Sequence, residues 1–293
     1  MQKGKLEHLV FVLSENKEII NEFLNSYDFC CIISKGGQIM KLILWILLFI
    51  VSGFLQYCLL LFASACLVDS KKIYDKHSGY YRWLLNSSTW LLVFFGRVHY
   101  HTKGMERIPQ DSRFMLVCNH RSKLDPITTW YLLKDYDVAF ISKEANFHVP
   151  FWGNIIRRCC FLSIDRENPR KAMVTIDKAA SLIKDDQVSF AVYPEGTRNF
   201  GEGLLPFHNG VFKIAQKANV PLVICGISGA EKMKKNYPLH RSDIYFEVLD
   251  VLSAEQVKAQ RCNDIGDYAR DLMLNFIEKT DKEKEYVNIR TVQ

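Results

Sequence analysis

A long apolar segment near the start of this chain of 293 residues constrains its fold more than any other feature. Residues 42–68 are 27 consecutive positions without a charged side chain. As a helix they would extend roughly 40 Å at about 1.5 Å per residue, whereas the hydrocarbon core of a bilayer is about 30 Å thick. The segment therefore predicts a helix that lies in or on a membrane. It either spans the bilayer or turns back at Ser52-Gly53.

An aromatic-rich segment, Tyr80 to Tyr100, follows the apolar one. Its Trp and Tyr side chains are of the kind that lie at the depth of lipid headgroups, so the two segments together predict a membrane-associated helical hairpin. The net charge of +6 is compatible with nucleic acid or with anionic lipid. Six cations that follow the apolar segment favour a lipid surface and no nucleic acid: Lys71, Lys72, Lys76, Arg82, Arg97 and Lys103.

The chain is expected to divide into four parts. Residues 1–39 form an N-terminal extension with a possible amphipathic helix at Ser14–Leu24. Met40 directly precedes Lys41 and the apolar run, so we hypothesise that translation from Met40 gives a conventional anchor and that the extension is dispensable. The membrane-anchoring helices then occupy residues 40–105, a globular domain residues 106–280, and a charged tail residues 281–293.

From about residue 110 onwards, short apolar runs alternate with helical periodicity. The runs that predict strands are 114–118, 138–142, 160–164, 188–193, 222–227 and 244–249. A helix is predicted at Pro169–Lys184 with Asn168 as its N-cap, another after the capping box that begins at Ser253, and a last one at Ile265–Lys279. This alternation predicts an α/β fold with a mixed central sheet flanked by helices.

Cysteine usage favours a reducing compartment. The nine Cys form no Cys-x-x-Cys pair and no cluster of Cys and His at metal-ligand spacing, and several lie in apolar runs. We therefore expect packed, reduced thiols of a cytosolic domain and not disulfides or metal ligands. A cleaved secretory signal is not expected, because the apolar run is too long and begins about 40 residues into the chain.

The segment Asn119 to Asp125 follows the first predicted strand, at the edge of the sheet where α/β proteins bind ligands. There the carboxylate of Asp125 could orient His120 through Nδ1 and leave Nε2 free as a base. The same letters are also compatible with a surface turn in which Asn119 is a cap. Ser122 is a weak candidate for a nucleophile, because the strained Gly-x-Ser-x-Gly elbow is missing.

Other predicted strands also end in polar residues. Lys143 follows one strand and Asp165-Arg166 another, although both could be solvated charges or a surface ion pair. The turn Tyr193 to Arg198 offers backbone N–H groups and a guanidinium, which suit a phosphate unless the turn is purely structural. Val220 to Ile224, with Pro221 at a strand start, is interpreted as structural.

Four segments in this order and spacing, NHRSKLD, FLSIDR, YPEGTR and VPLVI, resemble the four motifs of the membrane-bound glycerolipid acyltransferases, most closely the 1-acylglycerol-3-phosphate acyltransferases. The resemblance covers roughly residues 80–250. It implies that His120 is the general base and Asp125 its orienter, and that Lys143 and Arg166 contact the acceptor's phosphate. It further implies an acceptor site formed by Glu195, Gly196, Thr197 and Arg198. Relatives often have Lys or Arg where this chain has His208, which puts a phosphate contact there in doubt.

The activity that this resemblance implies is transfer of a fatty acyl group from acyl-CoA or acyl carrier protein to the sn-2 hydroxyl of 1-acylglycerol 3-phosphate (lysophosphatidic acid). The product would be phosphatidic acid. The expected partners are these substrates and a phospholipid membrane, with residues 106–280 as the acyltransferase catalytic domain on its cytoplasmic face. No metal and no cofactor are expected. The alternatives are transfer to glycerol 3-phosphate or another lysolipid, a lipid hydrolase, and a non-catalytic protein that binds lipid headgroups.

Overall fold

The computed structural model describes residues 27–199, 201 and 203–291. The chain divides into two compact units, Met1–Leu61 and Phe62–Gln293. The amphipathic helix predicted at Ser14–Leu24 lies outside the described residues.

The apolar segment forms a single long helix, α1 (Tyr27–Cys66). Among the described residues, its part Gln38–Cys66 is the one helix long and apolar enough to cross a membrane. The helix continues through Ser52 and Gly53, so the chain does not turn back there. Side chains such as Trp45, Phe49 and Leu55 are exposed, as expected for a surface that contacts lipid. These features confirm the predicted apolar helix and fit membrane association.

The second unit, the α/β unit, is built around a sheet of seven strands in the order β1-β7-β6-β2-β5-β3-β4. The strands are β1 (Val98–Lys103), β2 (Met115–Cys118), β3 (Val138–Ser142), β4 (Leu162–Ser163), β5 (Ser189–Val192), β6 (Leu222–Ser228) and β7 (Ser242–Leu252). Five of these strands, β6, β2, β5, β3 and β4, run parallel to one another, and β7 pairs antiparallel with β6. Their carboxyl ends therefore meet at one edge, where ligand sites of α/β proteins form.

Helices connect and cover the strands. They are α2 (Gly79–Phe95), α3 (Asp125–Leu132), α4 (Trp152–Arg158), α5 (Pro169–Lys184), α6 (Lys213–Ala218), α7 (Met233–Asn236), α8 (Ala254–Ala259) and α9 (Cys262–Thr291). The bounds of α5 are those predicted, and the Asn168 side chain accepts hydrogen bonds from the backbone N–H groups of Arg170 and Lys171. The predicted capping box at Ser253 is present with Gln256 as its partner. The mixed α/β sheet flanked by helices is thus confirmed.

The core lies between the sheet and helices α5, α6 and α9. The face of α5 that carries Ile176, Ala179 and Ile183 belongs to the same buried cluster as Phe190 and Val192 of β5. Buried thiols are part of the interior as well. Burial raises the pKa of Cys159 to about 12, so this thiol stays protonated at neutral pH.

Helix α2, from the aromatic-rich segment, buries one face in the α/β unit. Tyr81, Leu84 and Leu85 are buried on that face, while the Trp83 and Trp90 side chains are exposed. The prediction that Arg82 meets lipid headgroups is wrong. Its guanidinium is buried, lies 3.0 Å from the Asp137 carboxylate and stacks over the Trp130 ring at 4.7 Å. An ion-paired, buried cation is held inside the protein and does not reach a membrane surface.

Strand β1 is a feature that the sequence pattern did not predict. It lies within residues 40–105, which were assigned to membrane-anchoring helices, and it pairs in parallel with β7. The rest of that assignment, and the division into four parts, stays a prediction. The pairing brings His99 opposite Asp243 at an edge of the sheet.

Candidate active site

The loop after β2 is tied to the neighbouring strand by Asn119. This residue is fully buried, its Nδ2 donates to the Ile227 carbonyl at 2.9 Å, and its Oδ1 accepts from the Ile227 N–H at 2.8 Å. The two bonds satisfy both ends of the amide, as burial requires. Asn119 is therefore a clamp between β2 and β6 and not the cap of a surface turn.

His120 and Asp125 form a pair within this loop. His120 Nδ1 lies 3.0 Å from Asp125 Oδ2, and the two side chains are 16% and 1% exposed. The same oxygen accepts the backbone N–H groups of Arg121 and Ser122, each at 2.7 Å. Because three donors converge on it, the carboxylate has a fixed position and holds the imidazole with Nδ1 inward. Nε2 of His120 has no hydrogen-bond partner among the residues that the structure describes.

Tyr193, at the end of the neighbouring strand β5, supports the other side of the imidazole. Its ring stacks on His120 with 4.5 Å between centroids and 26° between planes. The phenol hydroxyl donates to Thr129 Oγ1 at 3.2 Å, and burial raises the pKa of Tyr193 well above its ordinary value, so it stays neutral. The sequence pattern predicts Tyr193 at the start of a turn and indicates no role for it. Its position next to β2 follows only from the strand order.

Ser122 has a backbone role in the structure. It is buried, its hydroxyl donates to the Ala230 carbonyl at 3.1 Å, and the same oxygen accepts the Leu124 N–H at 3.2 Å. A hydroxyl used in this way stabilises the loop, and neither of these two bonds is to His120. The geometry thus agrees with the weak standing of Ser122 as a nucleophile.

Glu195 points inward from the loop after β5. It is 2% exposed, and its Oε1 accepts the backbone N–H of His120 at 2.7 Å while its Oε2 accepts that of Leu205 at 3.0 Å. Burial raises the pKa of this carboxyl, although the two N–H bonds oppose the shift. The Asn199 N–H also donates to the His120 carbonyl at 2.9 Å. The turn after β5 therefore fixes the backbone on both sides of His120.

Gly196 has no side chain, and the side chains of His208 and Arg166 lie close to its backbone. Its φ is +72°, and a Cβ there would lie 2.7 Å from His208 Cδ2 and 3.5 Å from Arg166 Cδ. A residue with a side chain would be strained in this conformation and would collide with the imidazole. His208, the position where the motif pattern departs, thus lies close to Arg166, beside the turn.

A cleft of about 520 Å³ opens beside the ends of β3 and β4. Lys143 and Arg166 both line it, together with Lys171. Thr197 and Arg198 do not line this cleft; Thr197 is exposed and Arg198 is half-buried. The structure therefore brings together in one cleft the two cations that were predicted on separate strand ends.

The charges of this cleft are unevenly paired. Asp165 Oδ2 lies 3.6 Å from Lys171 Nζ, so Asp165 pairs with Lys171 and not with Arg166. Its Oδ1 accepts the backbone N–H groups of Glu167 and Asn168. Glu144 lies between His148 and Arg157, at 3.4 Å and 3.7 Å. In the part of the chain that the structure describes, Lys143 and Arg166 have no carboxylate partner within 4.0 Å. Two unpaired cations in a concave surface favour an anionic ligand.

The sequence of this chain is similar to those of known acyltransferases. The family model described as Acyltransferase matches residues 99–228. The chain is 31% identical over 196 residues to the 1-acyl-sn-glycerol-3-phosphate acyltransferase of Haemophilus influenzae, which covers 65% of this chain and 81% of that relative. It is 30% identical to the protein of the same name in Escherichia coli, over 57% of this chain and 68% of that relative.

A solved structure supports the same fold. The 1-acyl-sn-glycerophosphate (LPA) acyltransferase from Thermotoga maritima superposes with a TM-score of 0.54 at 21% identity, over 77% of this chain and 88% of that one. The chain belongs to the 1-acyl-sn-glycerol-3-phosphate acyltransferase family, as the four motifs predicted.

Proposed function

We propose that this protein transfers a fatty acyl group from a thioester donor, acyl-CoA or acyl carrier protein, to the sn-2 hydroxyl of 1-acylglycerol 3-phosphate, and so makes phosphatidic acid. The observation that carries the proposal is the contact of 3.0 Å between His120 Nδ1 and Asp125 Oδ2. This contact leaves Nε2 as the basic atom of a partly exposed imidazole. The relatives named above support the choice of acceptor and the acyltransferase chemistry.

In the proposed reaction, Nε2 of His120 accepts the proton of the acceptor hydroxyl as its oxygen attacks the thioester carbonyl. Asp125 stabilises the imidazolium that forms, since its carboxylate is already oriented by the backbone N–H groups of Arg121 and Ser122. The tetrahedral intermediate then collapses, the C–S bond breaks, and the thiolate takes the proton from Nε2. The base returns to its starting state without a covalent acyl-enzyme and without a metal or cofactor.

The cleft that contains Lys143 and Arg166 is proposed to hold the phosphate of the acceptor. A guanidinium forms charge-assisted, bidentate hydrogen bonds with phosphate oxygens, and an ammonium adds a second charge. Fixing the phosphate at the ends of β3 and β4 places the rest of the acceptor near the end of β2, where His120 lies. Glu195 acts in this scheme by positioning the His120 backbone, since both of its oxygens face N–H groups of the protein.

Helix α1 is proposed to anchor the protein in the membrane that contains its lipid acceptor and product, with the α/β unit on the cytoplasmic face. The exposed apolar surface of Gln38–Cys66 and the cations Lys71, Lys72 and Lys76 that follow it support this orientation. Free thiols packed in the interior suit a reducing compartment.

The test is thiol release from a labelled long-chain acyl-CoA by the detergent-purified protein, followed by lipid analysis. Parallel reactions contain lysophosphatidic acid, glycerol 3-phosphate, or no acceptor. Labelled phosphatidic acid that appears only with lysophosphatidic acid is the expected result, and acyl carrier protein replaces the donor if acyl-CoA is inactive.

Each alternative has its own outcome in this assay. Acylation of glycerol 3-phosphate would move the protein to the other acceptor class, and thiol release without acceptor would identify a hydrolase. Inactivity with both donors and all acceptors would contradict the proposal and favour a protein that only binds lipid headgroups.

A further inference from the structure

Two histidines on an edge strand and one aspartate on its neighbour form a cluster that the acyltransferase chemistry does not use. His99 and His101 lie on β1, and Asp243 lies on β7. Side chains two residues apart on a strand share a face, and the parallel register pairs His99 with Asp243 and His101 with Tyr245. The fold therefore gathers both imidazoles and the carboxylate on one face of the sheet.

We propose that this cluster is a binding site for a divalent transition-metal ion of the zinc type, with His99 Nδ1, His101 Nε2 and Asp243 Oδ1 as ligands. The three atoms lie 3.4 Å (His99 to His101), 2.9 Å (His101 to Asp243) and 3.8 Å (His99 to Asp243) from one another. A tetrahedral zinc ion with bonds of about 2.0–2.2 Å holds its ligands roughly 3.4 Å apart. The donor triangle thus has the size that the ion requires before the ion binds.

The chemistry of the donors selects the kind of ion. Imidazole nitrogen suits zinc, copper and nickel, whereas magnesium prefers oxygen ligands in an octahedral arrangement. The three side chains are 56%, 40% and 31% exposed, so a fourth position is open to water. An open, three-ligand site exchanges its ion with the solvent more readily than a closed structural site does.

Neighbouring residues both support and oppose this site. The Tyr245 ring stacks on His101 with 4.7 Å between centroids and limits rotation of the imidazole. Arg241 competes with the ion, because its Nη2 lies 3.0 Å from Asp243 Oδ1. Its Nε also donates to Oδ2 at 3.2 Å, so the guanidinium can keep the second oxygen when the first binds metal. Removal of this side chain should therefore strengthen metal binding.

The test is equilibrium dialysis of the full-length, detergent-purified protein against Zn²⁺, with bound metal measured by mass spectrometry. We expect one equivalent in the unchanged protein and in His240→Ala, a matched control with an exposed histidine outside the cluster. His99→Ala, His101→Ala and Asp243→Asn should each weaken binding by roughly tenfold or more. Arg241→Gln should strengthen it, and Mg²⁺ should not compete.

Folding and metal binding are separated by circular dichroism and thermal unfolding of every variant. A bound ion stabilises the native state, so Zn²⁺ should raise the Tm of the unchanged protein and of His240→Ala but not that of His101→Ala. The proposal is overturned if the folded protein binds no Zn²⁺, or if the cluster variants bind it as tightly as His240→Ala does. These readouts are independent of acyl transfer.

Discussion

Glu195, in the loop after the neighbouring strand β5, holds the backbone of His120 in place. Its Oε1 accepts the His120 N–H at 2.7 Å, and its Oε2 accepts the Leu205 N–H at 3.0 Å. The two motifs that lie 75 residues apart in sequence are thereby joined through one buried carboxylate. Both oxygens of the acidic residue in the turn therefore face N–H groups of the protein.

Glu195→Gln should lower both stability and activity. The amide keeps the size of the side chain but offers one acceptor in place of two, so one buried N–H loses its partner at a cost of about 1–3 kcal/mol. Denaturant unfolding followed by circular dichroism measures this loss, with exposed Glu106→Gln as the control. An unchanged unfolding midpoint in Glu195→Gln would contradict the bonding described here.

The pH dependence of stability should report the same residue. Burial raises the pKa of Glu195 above its ordinary value of 4.5, so the folded protein keeps this proton to higher pH than the unfolded chain does. The free energy of unfolding then decreases as pH rises through the interval just above 4.5. Glu195→Gln cannot titrate and should show a smaller decrease; an equal decrease in both proteins would exclude Glu195 as its source.

Gly196→Ala should strain the turn beside the cleft. The backbone has a φ of +72°, and the added Cβ would meet the His208 ring at 2.7 Å. A side chain in this conformation costs about 1–2 kcal/mol even without a collision. Gly210→Ala is the matched control, since a Cβ there has no atom within 4 Å. His208→Ala in the Gly196→Ala background should restore part of the stability, and full restoration would show that backbone strain is absent.

Arg166→Ala should raise the KM for the phosphorylated acceptor by roughly tenfold or more, because a charge-assisted contact is lost. The kcat and the KM for acyl-CoA should change little. Arg170→Ala removes an exposed guanidinium four residues further on, outside the cleft, and serves as the control. An unchanged dependence of rate on acceptor concentration would remove Arg166 from the phosphate site.

Arg82→Ala should destabilise the α/β unit by about 2 kcal/mol, since it removes a buried guanidinium bonded to a charged partner. The partner is Asp137 at 3.0 Å, and the Trp130 ring loses its stacked cation as well. Thermal unfolding of the variant is compared with that of Lys72→Ala, an exposed cation from the same region. Equal stability of the two variants would place Arg82 outside the core.

Sequence patterns predicted the parts of the fold in which burial is regular. The apolar runs of β2, β3, β5, β6 and β7 and the amphipathic face of α5 all lie where their periodicity indicated. Strand β1 was not predicted because its residues His99 to Lys103 are mostly polar, and its position at the edge of the sheet does not require burial. Its partner β7 is remote in sequence, so no local sequence pattern predicts that the two strands pair.

The site shows the same limit. The pairing of His120 with Asp125 could be predicted, because both lie in one loop whose ends are fixed by a strand and a helix. The stacking of Tyr193 on His120 could not, since it depends on β5 lying beside β2. The cluster of His99, His101 and Asp243 includes a His-x-His spacing in the sequence, but Asp243 comes from a strand more than 140 residues away.

The most direct test of His120 as the base is single-turnover acyl transfer to lysophosphatidic acid by His120→Ala and Asp125→Asn, beside a His148→Ala control. We expect both site variants to lose about 10²-fold or more in rate. His120→Ala removes the imidazole that acts as the base, and Asp125→Asn removes the carboxylate that orients it. The control should retain the unchanged rate, and circular dichroism should show all three folded. Transfer by His120→Ala at a rate close to that of the control would contradict the assignment of the base.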